Sequence, residues 1–221
     1  MNFTMKQVLY VFLICSTFML TKVSALEIKS AHPRLIDATS LKKIQAKQKT
    51  MGLLVKKANY YLGEKEDNIV NQKSKEREFI RLYAFLYSAK KEDKYFKKAK
   101  KLIEALRNAP ETKDDQQIRT RLQSYAYYYD LCFDKLDETE KKIIQEQILK
   151  HIQWLDDKKY LRINNFGGGH HFYANISAII GCIAIYYEEP STRETFQIIE
   201  KNLKEGFIPF YRYLSCEDGG F

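Results

Sequence analysis

A chain of 221 residues, 45% of them hydrophobic and 14% aromatic, carries enough apolar side chain to fill the core of one domain, which excludes a disordered tail or a fibrous repeat. Its formal charge is +9, and removing Lys6 and Lys22 with the leader described next leaves about +7. That excess suits an anionic partner (nucleic acid, acidic polysaccharide or a membrane surface), but runs such as Lys97-Lys98 and Lys141-Lys142 are also what solvated helix faces carry, so charge alone selects none of the three.

Residues 1–25 read as a secretory signal peptide: Lys6 gives the positive start, Val8 to Leu20 the apolar run, and Val23-Ser24-Ala25 a small-residue cleavage site. The run is short for a membrane span. Phe12, Leu13 and Ile14 lack the small residue expected just before an acylated Cys15. Export to the periplasm or the outside is therefore expected, with no stable membrane insertion once the leader is removed. The mature chain, 26–221, keeps Cys132, Cys182 and Cys216, an odd number without a short-range pattern, so no disulfide framework is expected. No cysteine and histidine pair has zinc-type spacing, and no metal is expected.

His32-Pro33-Arg34-Leu35 opens the mature domain as an extended segment, because the residue before proline is steered away from helical angles. A first helix is predicted over 40–62, with Asp37, Thr39 and Ser40 available to cap it. A polar link leads to a second over 75–90, where Phe79, Leu82, Tyr83, Leu86 and Tyr87 form a buried stripe. A third, 93–106, repeats the pattern and should pair with it as an antiparallel hairpin. The fourth, 116–133, bears Tyr125 to Asp130. The fifth starts at Asp137, with Asp137 and Glu140 in a capping-box arrangement, and lines up Ile144, Ile148, Ile152 and Leu155. The sixth, 171–187, is apolar nearly all round and belongs in the interior. The seventh, running to about 214, starts from a second box formed by Ser191 and Glu194.

No stretch alternates as a strand does, and no phosphate-binding or dinucleotide loop occurs, so no cofactor is expected. The expectation is an all-α fold of antiparallel helical hairpins stacked into an arc or an α/α toroid.

Chemistry is expected at Asn164-Asn165-Phe166-Gly167-Gly168-Gly169-His170-His171. Consecutive glycines let the backbone approach a ligand and leave the two imidazoles unobstructed. The helix that follows offers free N–H groups and a partial positive charge, which favour a carboxylate. Tyr125, Tyr128 and Tyr129 are candidate sugar-stacking residues, although consecutive tyrosines on a helix cannot all face one way, so some must belong to the core. Trp154 is assigned to the core.

The chain resembles the N-terminal helical domain of the heparinase II/III-like polysaccharide lyases, a group that includes alginate lyases. The resemblance rests on His32-Pro33-Arg34-Leu35, on Tyr127-Tyr128-Tyr129-Asp130-Leu131 ahead of the helix start at Leu136, on the Asn-x-Gly-Gly-Gly-His-His stretch, and on Glu217-Asp218-Gly219-Gly220-Phe221, in that order. It implies an incomplete α/α toroid followed by a β-sandwich, with an acidic polysaccharide rather than a nucleic acid in the cleft. The implied reaction is β-elimination at a uronate: His170 or His171 takes part in proton transfer, Asn164 or Asn165 neutralises the carboxylate, and Asp218 contributes to substrate binding. Phe166 and three glycines separate the asparagines from the histidines, whereas alginate-lyase-like members place the two side by side. The family's catalytic tyrosine would follow Phe221. The chain ends within a Gly-Gly-aromatic turn and is read as a truncated portion, inactive by itself. The alternatives are a non-catalytic module that binds acidic glycans through its tyrosines and lysines, and an α/α-toroid glycoside hydrolase using Asp130 with Glu217 or Asp218.

Overall fold

The computed structural model describes residues 28–70, 75–161 and 169–210, and every regular element among the described residues is a helix. Helix α1, Ala38–Ala46, starts where the Asp37 carboxylate accepts from the Ser40 N–H at 2.9 Å. Helix α2, Gln48–Tyr61, is separate from it, although one continuous helix is expected from the sequence. The break falls at Lys47, in the gap of the apolar stripe between Ile44 and Met51, where no buried side chain holds the two segments in line. A short helix α3, Glu66–Val70, occupies part of the expected polar link and is anchored by the buried Ile69.

Helix α4 spans Lys75–Lys90 and ends at Lys91, whose φ of 55° reverses the chain. Helix α5 is Asp93–Asn108. Helix α6, Asp115–Leu131, is capped by Asp114, which accepts from the Gln117 N–H at 3.0 Å. A 3₁₀ turn, Phe133–Lys135, leads to helix α7, Glu138–Asp157. There the Asp137 carboxylate accepts from the Glu140 N–H at 2.8 Å, but the Glu140 side chain pairs with Lys100 of α5. The expected box is thus realised as a cap plus an interhelical ion pair.

Helix α8 is Gly169–Ala184, and α9, Thr192–Lys201, continues as a π-helical turn, Asn202–Phe207. The cap expected from Ser191 does not form. Ser191 already has helical angles, whereas a capping side chain needs an extended residue, and its hydroxyl donates to Glu189 instead at 2.7 Å.

The pairs α4/α5, α6/α7 and α8/α9 pack together, and α6 lies against both α4 and α8. The contacts fix relative direction. Asp115 meets His170, Gln123 donates to Ser177 at 2.7 Å, and Arg34 and His32 join Asp130 at the end of α6 to Glu188 just beyond α8, so α6 and α8 run parallel. Arg81 over the Tyr127 ring and Tyr87 bonded to Asp134 set α4 parallel to α6 in the same way. Gly181 lets three helices converge: a Cβ there would stand 2.9 Å from Leu122 and 3.2 Å from Ile152. Cys132 and Cys182 are buried free thiols, and no helix among the described residues is long and apolar enough to cross a membrane.

The N-terminal segment is strapped across the C-terminal end of this parallel row. Asp130, fully buried, accepts from the backbone N–H groups of Arg34 and Leu35 at 2.8 Å each and bonds His32 Nδ1 at 2.6 Å. Arg34 forks onto Glu188 at 2.5 and 2.6 Å and also donates to the carbonyls of Lys29, Ser30 and Ala184. A buried carboxylate left without partners would cost several kcal/mol, so this segment and the end of α6 satisfy each other. The His32–Pro33 peptide is cis.

Burial alone would lower the pKa of His32, but its bonds to Asp130 and Glu188 outweigh that and hold it above the ordinary 6.5. Burial opposes ionisation of Glu188, yet Arg34 and His32 bring it down to about 2. His151 differs: buried in α7, it is pushed down to about 4 and stays neutral. These shifts predict a stability profile with two limbs. The His32 contribution is complete below pH 6.5 and is lost as pH rises through its raised folded pKa. The His151 contribution is complete above 6.5 and is lost as pH falls toward about 4, while that of Glu188 is complete above 4.5 and is lost as pH falls from there toward about 2. Urea unfolding across this range should therefore show maximum stability near neutrality, and His151→Gln should flatten the limb between pH 6.5 and 4 without changing the alkaline one.

Candidate functional site

Because α6 and α8 are parallel, their N-terminal turns lie side by side, and both leave backbone N–H groups unpaired with helix carbonyls. Asp115 is the first residue of α6 and His170 the second of α8. His170 Nδ1 lies 2.9 Å from Asp115 Oδ2, and the same oxygen accepts from Arg119 Nη2 at 2.8 Å. Exposure of these side chains rises outward, from 11% at Arg119 and 19% at Asp115 to 71% at His170. Tyr173, one turn after His170 and 56% exposed, sits with its ring 5.9 Å from the Arg119 guanidinium carbon. Burial disfavours the Asp115 carboxylate, but His170 and Arg119 more than offset this and keep its pKa below the ordinary range.

His171 faces elsewhere. Its ring packs 5.2 Å from that of Tyr160, which in turn stacks on Trp154, and its buried Nδ1 has no partner among the described residues. Behind it the Asn175 amide donates to the carbonyls of His171 at 2.8 Å and Tyr160 at 3.1 Å. Asn202, at the start of the π-helical turn, donates to Leu161 and to the Asn175 carbonyl. This amide pair ties together the two sides of the segment that carries Asn164 and Asn165. Those two asparagines lie outside the described residues, as does Asp218.

The tyrosines are placed differently from the stacking role expected of them. Tyr125, Tyr128 and Tyr129 are buried, at 1%, 1% and 0% exposure, so none offers a ring face to a ligand in this arrangement. The reason is the position of α6, which is covered by α4, α5, α7 and α8 at once and has little free face to give. Tyr128 stacks on Phe96, Tyr125 packs near His151, and the Tyr129 hydroxyl accepts from Gln145 at 2.7 Å, burial raising its pKa to about 12. Asp130 is equally committed: with three bonds to the N-terminal strap it is not an available acid or base, which removes it from a hydrolase carboxylate pair.

A cleft of about 490 Å³ lies at the opposite end of the row, beside His32, Ser88, Lys91, Asp134 and Glu188. Its ionic groups pair with one another: Lys91 with Asp134 at 2.8 Å, Glu188 with Arg34 and His32. Among the described residues no cluster of three or more metal-ligating side chains occurs.

Asp115, Arg119 and Tyr173 were not singled out from the sequence. Arg119 is the i+4 neighbour of Asp115 and Tyr173 the i+3 neighbour of His170, spacings that mark shared helix faces. Nothing local, however, joins Asp115 to a histidine 55 residues away. Neither the protein-family models nor the curated proteins compared with this chain give a match.

The burial pattern predicts opposite effects for two hydroxyl deletions. Tyr128 carries a buried hydroxyl with no partner among the described residues, so Tyr128→Phe should leave stability unchanged or raise it by about 1 kcal/mol. Tyr129→Phe breaks the Gln145 bond and should lower stability by about 1 kcal/mol. Thermal unfolding of the two variants checks both.

Proposed function

We propose that this chain is the N-terminal portion, an incomplete α/α toroid, of an exported polysaccharide lyase that cleaves uronate-containing acidic polysaccharide, heparin-, heparan- or alginate-like, by β-elimination. The single observation that carries this reading is the exposed His170 held by Asp115 at the paired N-terminal turns of α6 and α8. A histidine whose Nδ1 is bound to a carboxylate can present Nε2 as a proton acceptor. The flanking N–H groups supply positive potential for an anionic sugar, and Tyr173 supplies an exposed ring for its apolar face. A further support is that the strap His32–Leu35 docks on Asp130, so two of the segments on which the family resemblance rests meet in space.

In the reaction the carboxylate of the uronate is neutralised, which makes the adjacent C5 proton removable. A base takes that proton, the electrons form the C4=C5 double bond, the C4–O bond breaks, and the leaving oxygen takes a proton from a general acid. His170 fits the first role, and the resemblance assigns the last to a tyrosine beyond Phe221. Asn164 or Asn165 is proposed to bind the carboxylate. The tyrosine-faced glycan-binding alternative loses its platform with Tyr125, Tyr128 and Tyr129 in the core.

The test is to express the gene product continued past Phe221 and follow ultraviolet absorbance of the unsaturated uronate on heparin, heparan sulfate, alginate and hyaluronan. The wild type should act on at least one, and His170→Ala should reduce kcat by about 10² to 10⁴ with folding intact. Absence of elimination on every uronate polymer would overturn the reading.

A further inference from the structure

We propose that Asp115 and Arg119 are positioning residues that hold His170 in the tautomer with Nδ1 protonated, so that Nε2 is the basic atom presented to the sugar. The proposal deepens the lyase reading and rests on it for the identity of the sugar, but its core is a statement about one imidazole.

An ionised carboxylate accepts hydrogen bonds and donates none. The contacts of Asp115 favour that ionised form, so the 2.9 Å bond to His170 has the imidazole Nδ1–H as donor. In the neutral ring the lone pair then resides on Nε2. A free histidine side chain in water prefers the other tautomer, with the proton on Nε2, so the preference here is imposed by the protein. Nε2 has no protein partner among the described residues, and the side chain is 71% exposed, which leaves that atom accessible to substrate.

Arg119 has a separate task. Its Nη2 donates to the same Asp115 oxygen at 2.8 Å, and its Nε donates to the Asp115 backbone carbonyl at 3.2 Å. The two bonds fix the carboxylate rotamer on a helix turn where the Asp115 side chain could otherwise point to water. Arg119 itself is nearly buried, with the Tyr173 ring over its guanidinium. The order from inside to outside is therefore a fixed cation, an oriented anion and an accessible imidazole. The position of Asp115 at the first turn of α6 adds to the stability of its charge through the helix dipole.

The experiment is ¹⁵N NMR of the histidine side chains in this chain, at a pH where His170 is neutral, with its signals assigned by their disappearance in His170→Gln. The expected wild-type result is a protonated Nδ1 and an unprotonated Nε2. Asp115→Asn should move the population toward the Nε2–H form, and Arg119→Met should give a mixture of the two, both with unchanged helix content by circular dichroism. A wild-type His170 protonated on Nε2 would overturn the proposal whether or not either variant folds, and an unchanged tautomer in Asp115→Asn would do the same. An unchanged tautomer in Arg119→Met would remove Arg119 from the arrangement. The readout does not depend on turnover: a locked Nδ1–H tautomer without uronate elimination would support the positioning role while contradicting the lyase reading.

Discussion

The parallel packing of α6 against α8 is the constraint on which the rest of the structure depends. It requires the two helix axes to come close, which Gly181 permits opposite Leu122, and it is registered by the buried Gln123–Ser177 bond. Once that register is set, both ends follow. Asp115 must meet the first turn of α8, and Asp130 must lie near the chain leaving it. Shifting α8 by one turn, about 5.4 Å, would separate His170 from Asp115 and Glu188 from the strap together.

The two ends use the same residue types for opposite purposes. At the C-terminal end His32, Asp130, Arg34 and Glu188 are saturated by one another, and the network closes over the core. A buried ion pair of this kind adds less net stability than its distances suggest, because desolvation offsets much of the attraction, but removing Glu188 would leave the buried Arg34 guanidinium without its carboxylate. At the N-terminal end the chain of contacts stops at the surface, on an imidazole whose second nitrogen has no partner among the described residues. That difference in saturation, more than the presence of histidine and carboxylate, separates a structural cluster from a candidate site.

Much of the helix pattern could be read from the sequence, because it is written locally. The stripe from Phe79 to Tyr87 and the caps at Asp37 and Asp137 act within a few residues, and the helices appear close to where those signals place them. The break at Lys47 and the failure of Ser191 to cap were harder to foresee, since they depend on what lies beneath Ile44 and on the backbone angles of one residue. The site was legible only in part. His170 stood out beside its glycines, but its partner Asp115, and Arg119 behind that, belong to another helix, and the tyrosines looked like a binding face because their sequence does not reveal that four helices cover most of α6. Burial of α6 is a tertiary fact, as is the pairing of two helix N-termini.

The central claim is that chemistry at an acidic sugar belongs to the N-terminal end of the α6–α8 pair. The most direct measurement is a titration of this chain with a uronate oligosaccharide, following the ring signals of its histidines and tyrosines by NMR. The account predicts that His170 and Tyr173 shift in a saturable, salt-weakened manner while His32 and His151 stay in place. Saturable shifts confined to His32 and the opposite cleft, or no shifts at any signal, would contradict it.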